Sequence, residues 1–180
     1  IAAVKTSLLK DVHLMIEEPL EKVTDYVAAG ADLVTIHVES CRHPHRVLQK
    51  LGKMENANDA SRGLIRGVAL NPGTSLGTLG PLLGELEMIL LLSVNPGWGG
   101  QKFIESTHER IGQVKKMVEK SGNEILVAVD GGIKRDNITD VGRLGVDVVV
   151  TGSAVFDGKT PSENAKFMIN ALKTSGGVKP

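Results

Sequence analysis

The sequence predicts an α/β fold of the (β/α)₈ barrel class, with about six of the eight βα units present in its 180 residues. Three observations carry this. Short apolar runs of strand length alternate with longer amphipathic runs of helical length. The short runs are almost continuously apolar rather than strictly alternating, as in parallel strands covered on both faces. Glycine-rich or polar residues follow the C-terminal end of almost every run, and a barrel gathers such ends at one mouth. An open doubly wound sheet shares the rhythm but spreads its strand ends along an edge, with only the switch point concave. The regular polar ends favour the barrel.

The first strand is 11–16, DVHLMI, with His13 inside an apolar run. A helix over 18–29 follows and stops at Gly30, where a left-handed cap is expected before ADLV. The second strand, 33–38 (LVTIHV), leads into Glu39 and Ser40 and then a helix over 43–54. Residues 52–66, rich in Asn, Asp, Ser and Gly, read as a surface loop without chemistry of its own. The third strand, 67–71 (GVALN), runs into NPGTS and a helix over 75–86. The fourth, 88–94 (MILLLSV), opens into NPGWGGQKF at 95–103, before a helix over 104–121. The fifth, 125–130 (ILVAVD), ends on Asp130 with Gly131 and Gly132 behind it; a helix over 134–143 stops at Gly145. The sixth, 147–151 (DVVVT), ends in TGSA, and the last helix spans 161–173 with Pro161 before it and Ser162 as its cap.

The composition narrows the function. Apolar residues are 41% and aromatics only 3%, so the core is aliphatic. Lys+Arg and Asp+Glu balance at 21 each, which leaves no broad basic field for nucleic acid. No apolar run reaches the ~18 residues of a membrane span, and the N-terminus lacks the sections of a signal peptide. The single cysteine, Cys41, cannot form an internal disulfide and fits a reducing compartment, read here as cytoplasmic. The chain reads as a single barrel domain over 1–180.

Several strand ends carry candidate chemistry. The glycines and proline of NPGWGGQKF allow tight turns and offer N–H groups to an anion, and Trp98 rides between Gly97, Gly99 and Gly100 on a loop able to close over a substrate. It is not a P-loop, since no Gly-Lys-Ser/Thr follows. Gly152 and Ser153 end the sixth strand as Gly131 and Gly132 follow the fifth. Barrels frequently build a phosphate site from their last two such loops. Asp130 is a carboxylate at the end of an apolar run, costly unless paired or used. His13 and Asp130 end strands at the same expected mouth, so together they suit one divalent ion. Two ligands are too few for a tight site, and alternation places His37 and Glu39 on one face as candidates for the rest. His43, His45 and His108 fall in helical or loop stretches and read as surface residues.

The ordered set DVHLM, GADLVTIHVE, VALNPGTSL, LLLSVNPGWGGQKF, VDGGI and VVTGSAVF resembles ribulose-5-phosphate 3-epimerase over nearly the whole chain. The resemblance implies a ribulose-phosphate-binding (β/α)₈ barrel that interconverts D-ribulose 5-phosphate and D-xylulose 5-phosphate in the pentose phosphate pathway, with one divalent metal ion (Zn, Fe, Mn or Co). It implies metal ligation by His13 and Asp130, acid/base work by Asp130 on one face of the sugar, and Met15 beside the reacting centre. It implies substrate and phosphate contacts from His13, Met15, Gly97, Trp98, Gly99, Gly100, Gly131, Gly132, Gly152 and Ser153. His37 and Glu39 are not ligands on this reading and are set aside. Trp98 stands where many members have Phe, and Leu92 where many have Met. A sugar-phosphate substrate and a homo-oligomer are implied; nucleic acid and membrane are not.

The family's first two strands have no counterpart here, and IAAVKTSLLK resembles the end of its second helix. Those strands carry a substrate-binding Ser, two further ligands (a His and an Asp) and, in that Asp, the opposite-face acid/base. Six strands cannot close an eight-strand barrel, so the residues are expected to be part of a longer protein, in keeping with the lack of an initial Met. Two alternatives are an epimerase of a related ketose phosphate such as D-allulose 6-phosphate, and a truncated chain that only binds a full-length partner. Barrel decarboxylases and synthases carry Asp-x-Lys-x-x-Asp on a strand, and DGGIKRDN does not match that spacing.

Overall fold

The computed structural model describes residues 1–176. Its strands are β1 (Asp11–Leu14), β2 (Leu33–His37), β3 (Ile65–Leu70), β4 (Met88–Leu92), β5 (Leu126–Asp130) and β6 (Val148–Val150). Its α-helices are α1 (Val23–Ala28), α2 (Pro44–Leu51), α3 (Thr107–Ser121), α4 (Ile138–Arg143) and α5 (Pro161–Thr174). The strands follow one another in sheet order β1-β2-β3-β4-β5-β6. Chain order is therefore sheet order, without the reversal that defines a doubly wound sheet, and the β1–β2, β2–β3 and β5–β6 pairs are parallel. Among the described residues no helix is long and apolar enough to cross a membrane.

Four expectations need correction. The helix over 18–29 is a 3₁₀ turn, Pro19–Glu21, followed by the shorter α1, because Glu18 is left-handed at φ 45 and Pro19 sets the next turn. The pattern at 75–86 forms a 3₁₀ helix, Leu76–Leu82, since Gly77, Gly80 and Pro81 remove the propensity and the N–H that an α-helix needs. The surface loop over 52–66 ends two residues early, as Ile65 and Arg66 begin β3. Ser162 is not the cap of α5: Thr160 holds that place with no side-chain hydrogen bond, and Pro161 is the first helical residue. Gly30 and Gly145 do end their helices at positive φ, 93 and 63.

The residues group into two compact units. The first contains Ile1–Leu70, Thr74–Leu90 and Ser121–Ile125. Its core joins Leu14 of β1, Val34 and Ile36 of β2, Val23 and Val27 of α1, and Val47 and Leu51 of α2. Each such side chain contributes about 1.5–3 kcal/mol on full burial. Gly67 on β3 pairs with Thr35, and a Cβ there would run into the Thr35 hydroxyl and lie 3.2 Å from Met88 Cε, so only glycine fits. The second unit contains Asn71–Gly73, Leu91–Lys120 and the residues from Leu126 onward. Val127, Ala128 and Val129 of β5, Ile111 and Val114 of α3, and Ile138 and Val141 of α4 are buried there.

One device recurs at strand entries. Asp32, just before β2, donates its N–H to Lys10 O at 2.9 Å and accepts the Lys10 N–H on its carboxylate at 2.8 Å. Glu87, just before β4, does the same with Arg66, at 2.9 Å and 2.8 Å. Asp147, just before β6, does it with Val127, both at 2.8 Å. Each acid clasps both backbone groups of one residue and so pins the register of its strand on the preceding one.

Candidate functional site

In the first unit, β1 and β2 place two histidines together. His13 lies on β1 and His37 closes β2, with Nε2 to Nε2 at 2.8 Å. Their rings lie 4.9 Å apart with planes 19° from parallel. The chain then turns into the 3₁₀ segment Val38–Ser40, which brings Glu39 Oε2 to 3.2 Å from His37 Nδ1. Thr74, from the NPGTS loop, donates its hydroxyl to Glu39 Oε1. His37 is buried and His13 half-buried. Burial, and then the neighbouring His37, lower the pKa of His13 to about 4, so at neutral pH it is a neutral imidazole with one nitrogen lone pair. Met15, two residues beyond His13, is exposed.

In the second unit, Asp130 ends β5 and is half-buried, while Val127, Ala128 and Val129 before it are fully buried. Gly131 and Gly132 follow at φ 116 and 64. Both must be glycine: a Cβ on Gly131 would strike the Val94 side chain, and one on Gly132 would meet the backbone of Phe103 and lie 2.8 Å from the Lys102 carbonyl carbon. The carbonyls of this turn are tied down. Ser93 donates its N–H to Asp130 O at 2.8 Å, and its hydroxyl reaches Asp130 O at 2.9 Å and Gly131 O at 2.6 Å. Asn137 Nδ2 donates to Gly132 O at 3.0 Å, and Thr151 Oγ1 to Ile133 O at 3.0 Å. With the oxygens engaged, no hydrogen bond among the described residues occupies the N–H of Gly132, Gly152 or Ser153. A small pocket is lined by Gly100, Asp130, Gly131, Gly132, Gly152 and Ser153, together with Gln101, Lys134 and Thr151.

Most of the predicted positions of the second unit therefore meet in one pocket, while Gly97, Trp98 and Gly99 do not line it. Trp98 is 65% exposed at the loop tip. The loop is closed on Gln101, whose Nε2 donates to Asn95 O at 2.5 Å and Trp98 O at 3.0 Å. Reading by residue type missed Gln101, Ser93, Asn137 and Thr151, polar side chains whose task is to hold backbone. Ser93 carried a signal, a hydroxyl inside the apolar run MILLLSV. His37 and Glu39, set aside as ligands, contact His13 directly or through one another. Among the described residues no group of three or more His, Cys, Asp or Glu is placed to hold a metal ion.

Comparison with known proteins follows the same strand ends. The model of the Ribulose-phosphate 3 epimerase family matches residues 1–156. The ribulose-phosphate 3-epimerase of Aquifex aeolicus is 43% identical over 155 residues, 86% of this chain and 66% of that protein. That of Bacillus subtilis is 40% identical over 152 residues, 84% of this chain and 66% of the relative. The chloroplastic ribulose-5-phosphate-3-epimerase of Arabidopsis thaliana is 41% identical over 175 residues, 96% of this chain and 59% of the relative. The chain thus spans about two thirds or less of the length of these curated relatives. Among solved structures, KGPDC from Streptococcus mutans superposes with a TM-score of 0.66 at 16% identity, covering 95% of this chain and 74% of that one. The 3-hexulose-6-phosphate synthase from Salmonella typhimurium does so with a TM-score of 0.59 at 22% identity, covering 92% and 74%. At such identities the likeness is one of fold, the (β/α) barrel class that the alternating runs predict.

Proposed function

We propose, because the chain belongs to the ribulose-phosphate 3-epimerase family, that the whole protein interconverts D-ribulose 5-phosphate and D-xylulose 5-phosphate by removing and returning the C3 proton. The family match over residues 1–156, which takes in every strand-end motif from DVHLM to TGSAVF, is the observation that carries the reading.

The roles follow from chemistry. The C3 proton is weakly acidic, so a base must sit at it and charge must be stabilised as it leaves. Asp130 takes and gives that proton on one face of the sugar. Inversion needs a second acid on the other face. The Gly132, Gly152 and Ser153 N–H groups hold the phosphate, and anchoring that end fixes C3 against Asp130. The Trp98 loop closes over the sugar and excludes water.

The donor chemistry fits a divalent ion in kind. The neutral imidazole of His13 and the Asp130 carboxylate are ligand types for Zn, Fe, Mn or Co. A divalent ion, when bound, would supply Lewis-acid stabilisation of the charge that develops on the substrate oxygens. The reading extends to a sugar-phosphate substrate, a homo-oligomer and a cytoplasmic location; Cys41 is free and buried, in keeping with a reducing compartment.

The experiment is exchange of the C3 hydrogen in D₂O by the full-length protein, alongside conversion of ribulose 5-phosphate. We expect both, with Asp130→Asn reducing kcat by at least about 10³. A folded, metal-loaded protein that exchanges nothing at C3 overturns the reading. A larger kcat/KM on D-allulose 6-phosphate would move the assignment to the hexulose phosphate.

A further inference from the structure

We propose that Asn164 is a positioning residue, whose buried amide braces the turn after β6 against the loop after β5 and so fixes the Gly152 and Ser153 N–H groups. The brace stands on geometry. Only its use, holding those groups for a phosphate, rests on the function proposed above.

Asn164 lies in the first turn of α5 and is 5% exposed. Its backbone N–H donates to Thr160 O at 3.0 Å, so the helix leaves the side chain to other partners. A side-chain amide buried to this degree is costly unless it is hydrogen-bonded. Here each end of it meets a different loop. Oδ1 accepts from Arg135 Nη2 at 3.1 Å, and Nδ2 donates to Val155 O at 3.1 Å. A guanidinium only donates and a carbonyl only accepts, so these partners allow one orientation of the amide. Arg135 is held from α5 a second time. Its guanidinium carbon lies 4.2 Å from the ring centre of Phe167, three residues beyond Asn164 and so beside it on the helix.

Val155 is the far end of a closed turn. Val155 and Phe156 both donate their N–H to Gly152 O, at 3.0 and 2.9 Å. At the near end Thr151 Oγ1 donates to Ile133 O at 3.0 Å. Two struts therefore join the same two segments: Thr151 to Ile133 directly, and Val155 to Arg135 through Asn164. Gly152 and Ser153 lie between the struts in sequence. A cavity of about 380 Å³ adjoins the turn, lined by Lys134, Arg135, Ser153, Ala154, Asp157 and Asn164. Lys134 and Ser153 also line the small pocket of Asp130 and the glycines. The cavity thus gives the turn room to shift once the second strut is cut.

The test uses the full-length protein with inorganic phosphate as the probe. Asn164→Ala cuts the second strut and should raise the phosphate Kd, measured by NMR titration, about 3–10-fold. KM for the sugar phosphate should rise in step, with kcat changed by less than about twofold, as expected for lost binding common to ground and transition states. The Val155 and Phe156 amides should exchange faster with solvent while those of residues 168–172 in α5 keep their protection. A merely structural role would loosen helix and turn together. Unchanged phosphate affinity in a folded Asn164→Ala protein overturns the proposal, as does exchange that rises along α5 and the turn alike. If Asn164→Ala does not fold, Arg135→Met, at an exposed position, cuts the same strut, and unchanged exchange at Val155 and Phe156 then overturns the proposal. A wild type without measurable phosphate binding overturns it as well, whatever C3 exchange shows. Failure of the epimerase reading looks different: no exchange at C3, with phosphate still bound and still weakened by Asn164→Ala.

Discussion

Replacing Asp32 and Asp147 by Asn tests how much the strand-entry clasp depends on burial. Both acids accept one backbone N–H at 2.8 Å and return their own N–H to the same residue. Their surroundings differ. Asp147 is exposed, whereas Asp32 is 3% exposed and also receives Asn56 Nδ2 at 3.2 Å and the Arg62 guanidinium. An Asn at 147 keeps an oxygen for the Val127 N–H and turns its amide to water, costing under about 0.5 kcal/mol. An Asn at 32 keeps an oxygen for Lys10, but its NH₂ then faces a donor from Asn56 or Arg62. One buried bond to a charged group is lost, about 1.5–3 kcal/mol. Arg62 is 40% exposed and recovers solvation, so the ion pair adds less than about 1 kcal/mol. Urea unfolding of the full-length protein at neutral pH should therefore place Asp32→Asn about 2–3 kcal/mol below wild type. The pH dependence follows. Burial pushes the Asp32 carboxyl up, but the Lys10 N–H, the Asn58 and Asn56 amides and Arg62 outweigh it and hold it below its ordinary value. A depressed folded-state pKa stabilises above the unfolded value of about 3.9, and that stabilisation is lost as pH falls through the folded value. The gap between wild type and Asp32→Asn should thus narrow below about pH 4. Equal losses at positions 32 and 147, or a gap that stays constant down to pH 3, would refute the reasoning.

Four further substitutions check other parts of the structure. Thr35 Oγ1 is buried without a hydrogen-bond partner, so Thr35→Val should raise the urea midpoint, by about 1 kcal/mol of stability. Gly132→Ala forces a side chain into the Lys102–Phe103 backbone at φ 64 and should cost about 2–4 kcal/mol, whereas Gly97→Ala, with open space at φ 128, pays for conformation alone, about 1–2 kcal/mol; denaturant midpoints of the two rank them. Trp98→Ala should leave stability within about 0.5 kcal/mol, because the ring is exposed, yet raise KM for the sugar phosphate if the loop closes over it; steady-state kinetics reads this.

What the sequence reveals depends on whether a feature is local. Strand positions were legible because each is a near-continuous apolar run, and Gly30 and Gly145 because only one backbone conformation follows a helix there. Helix type was not legible at 75–86, where an amphipathic pattern hid the loss of the N–H at Pro81. The glycines of the second unit's pocket were found from their place after strands. Ser93, Asn137 and Thr151 were missed, because their side chains serve carbonyls that a linear reading does not show to be near. The His13–His37 contact is the clearest case. Alternation put His37 and Glu39 on one face, but nothing in the chain says that His13 lies across from them until β1 pairs with β2.

Position relative to a strand separates two kinds of acid that composition cannot tell apart. Asp32, Glu87 and Asp147 precede their strands and spend their oxygens on the neighbouring strand's backbone. Asp130 is the last residue of its strand, and at that end the backbone is served by Ser93 instead: hydroxyl and N–H of Ser93 both reach the Asp130 carbonyl. The clasp is thus made by carboxylates at strand entries and by a neutral hydroxyl at the one exit that ends in an acid. The Asp130 carboxylate is the group proposed above to move the C3 proton, and Ser93 holds the backbone beside it. Ser93→Ala should therefore disturb the Gly131–Gly132 turn while leaving every entry clasp intact. Amide hydrogen exchange, fast at residues 130–133 and unchanged at Lys10 and Val127, is the expected pattern. Uniform loosening across both sets would mean that the two ends are not held independently.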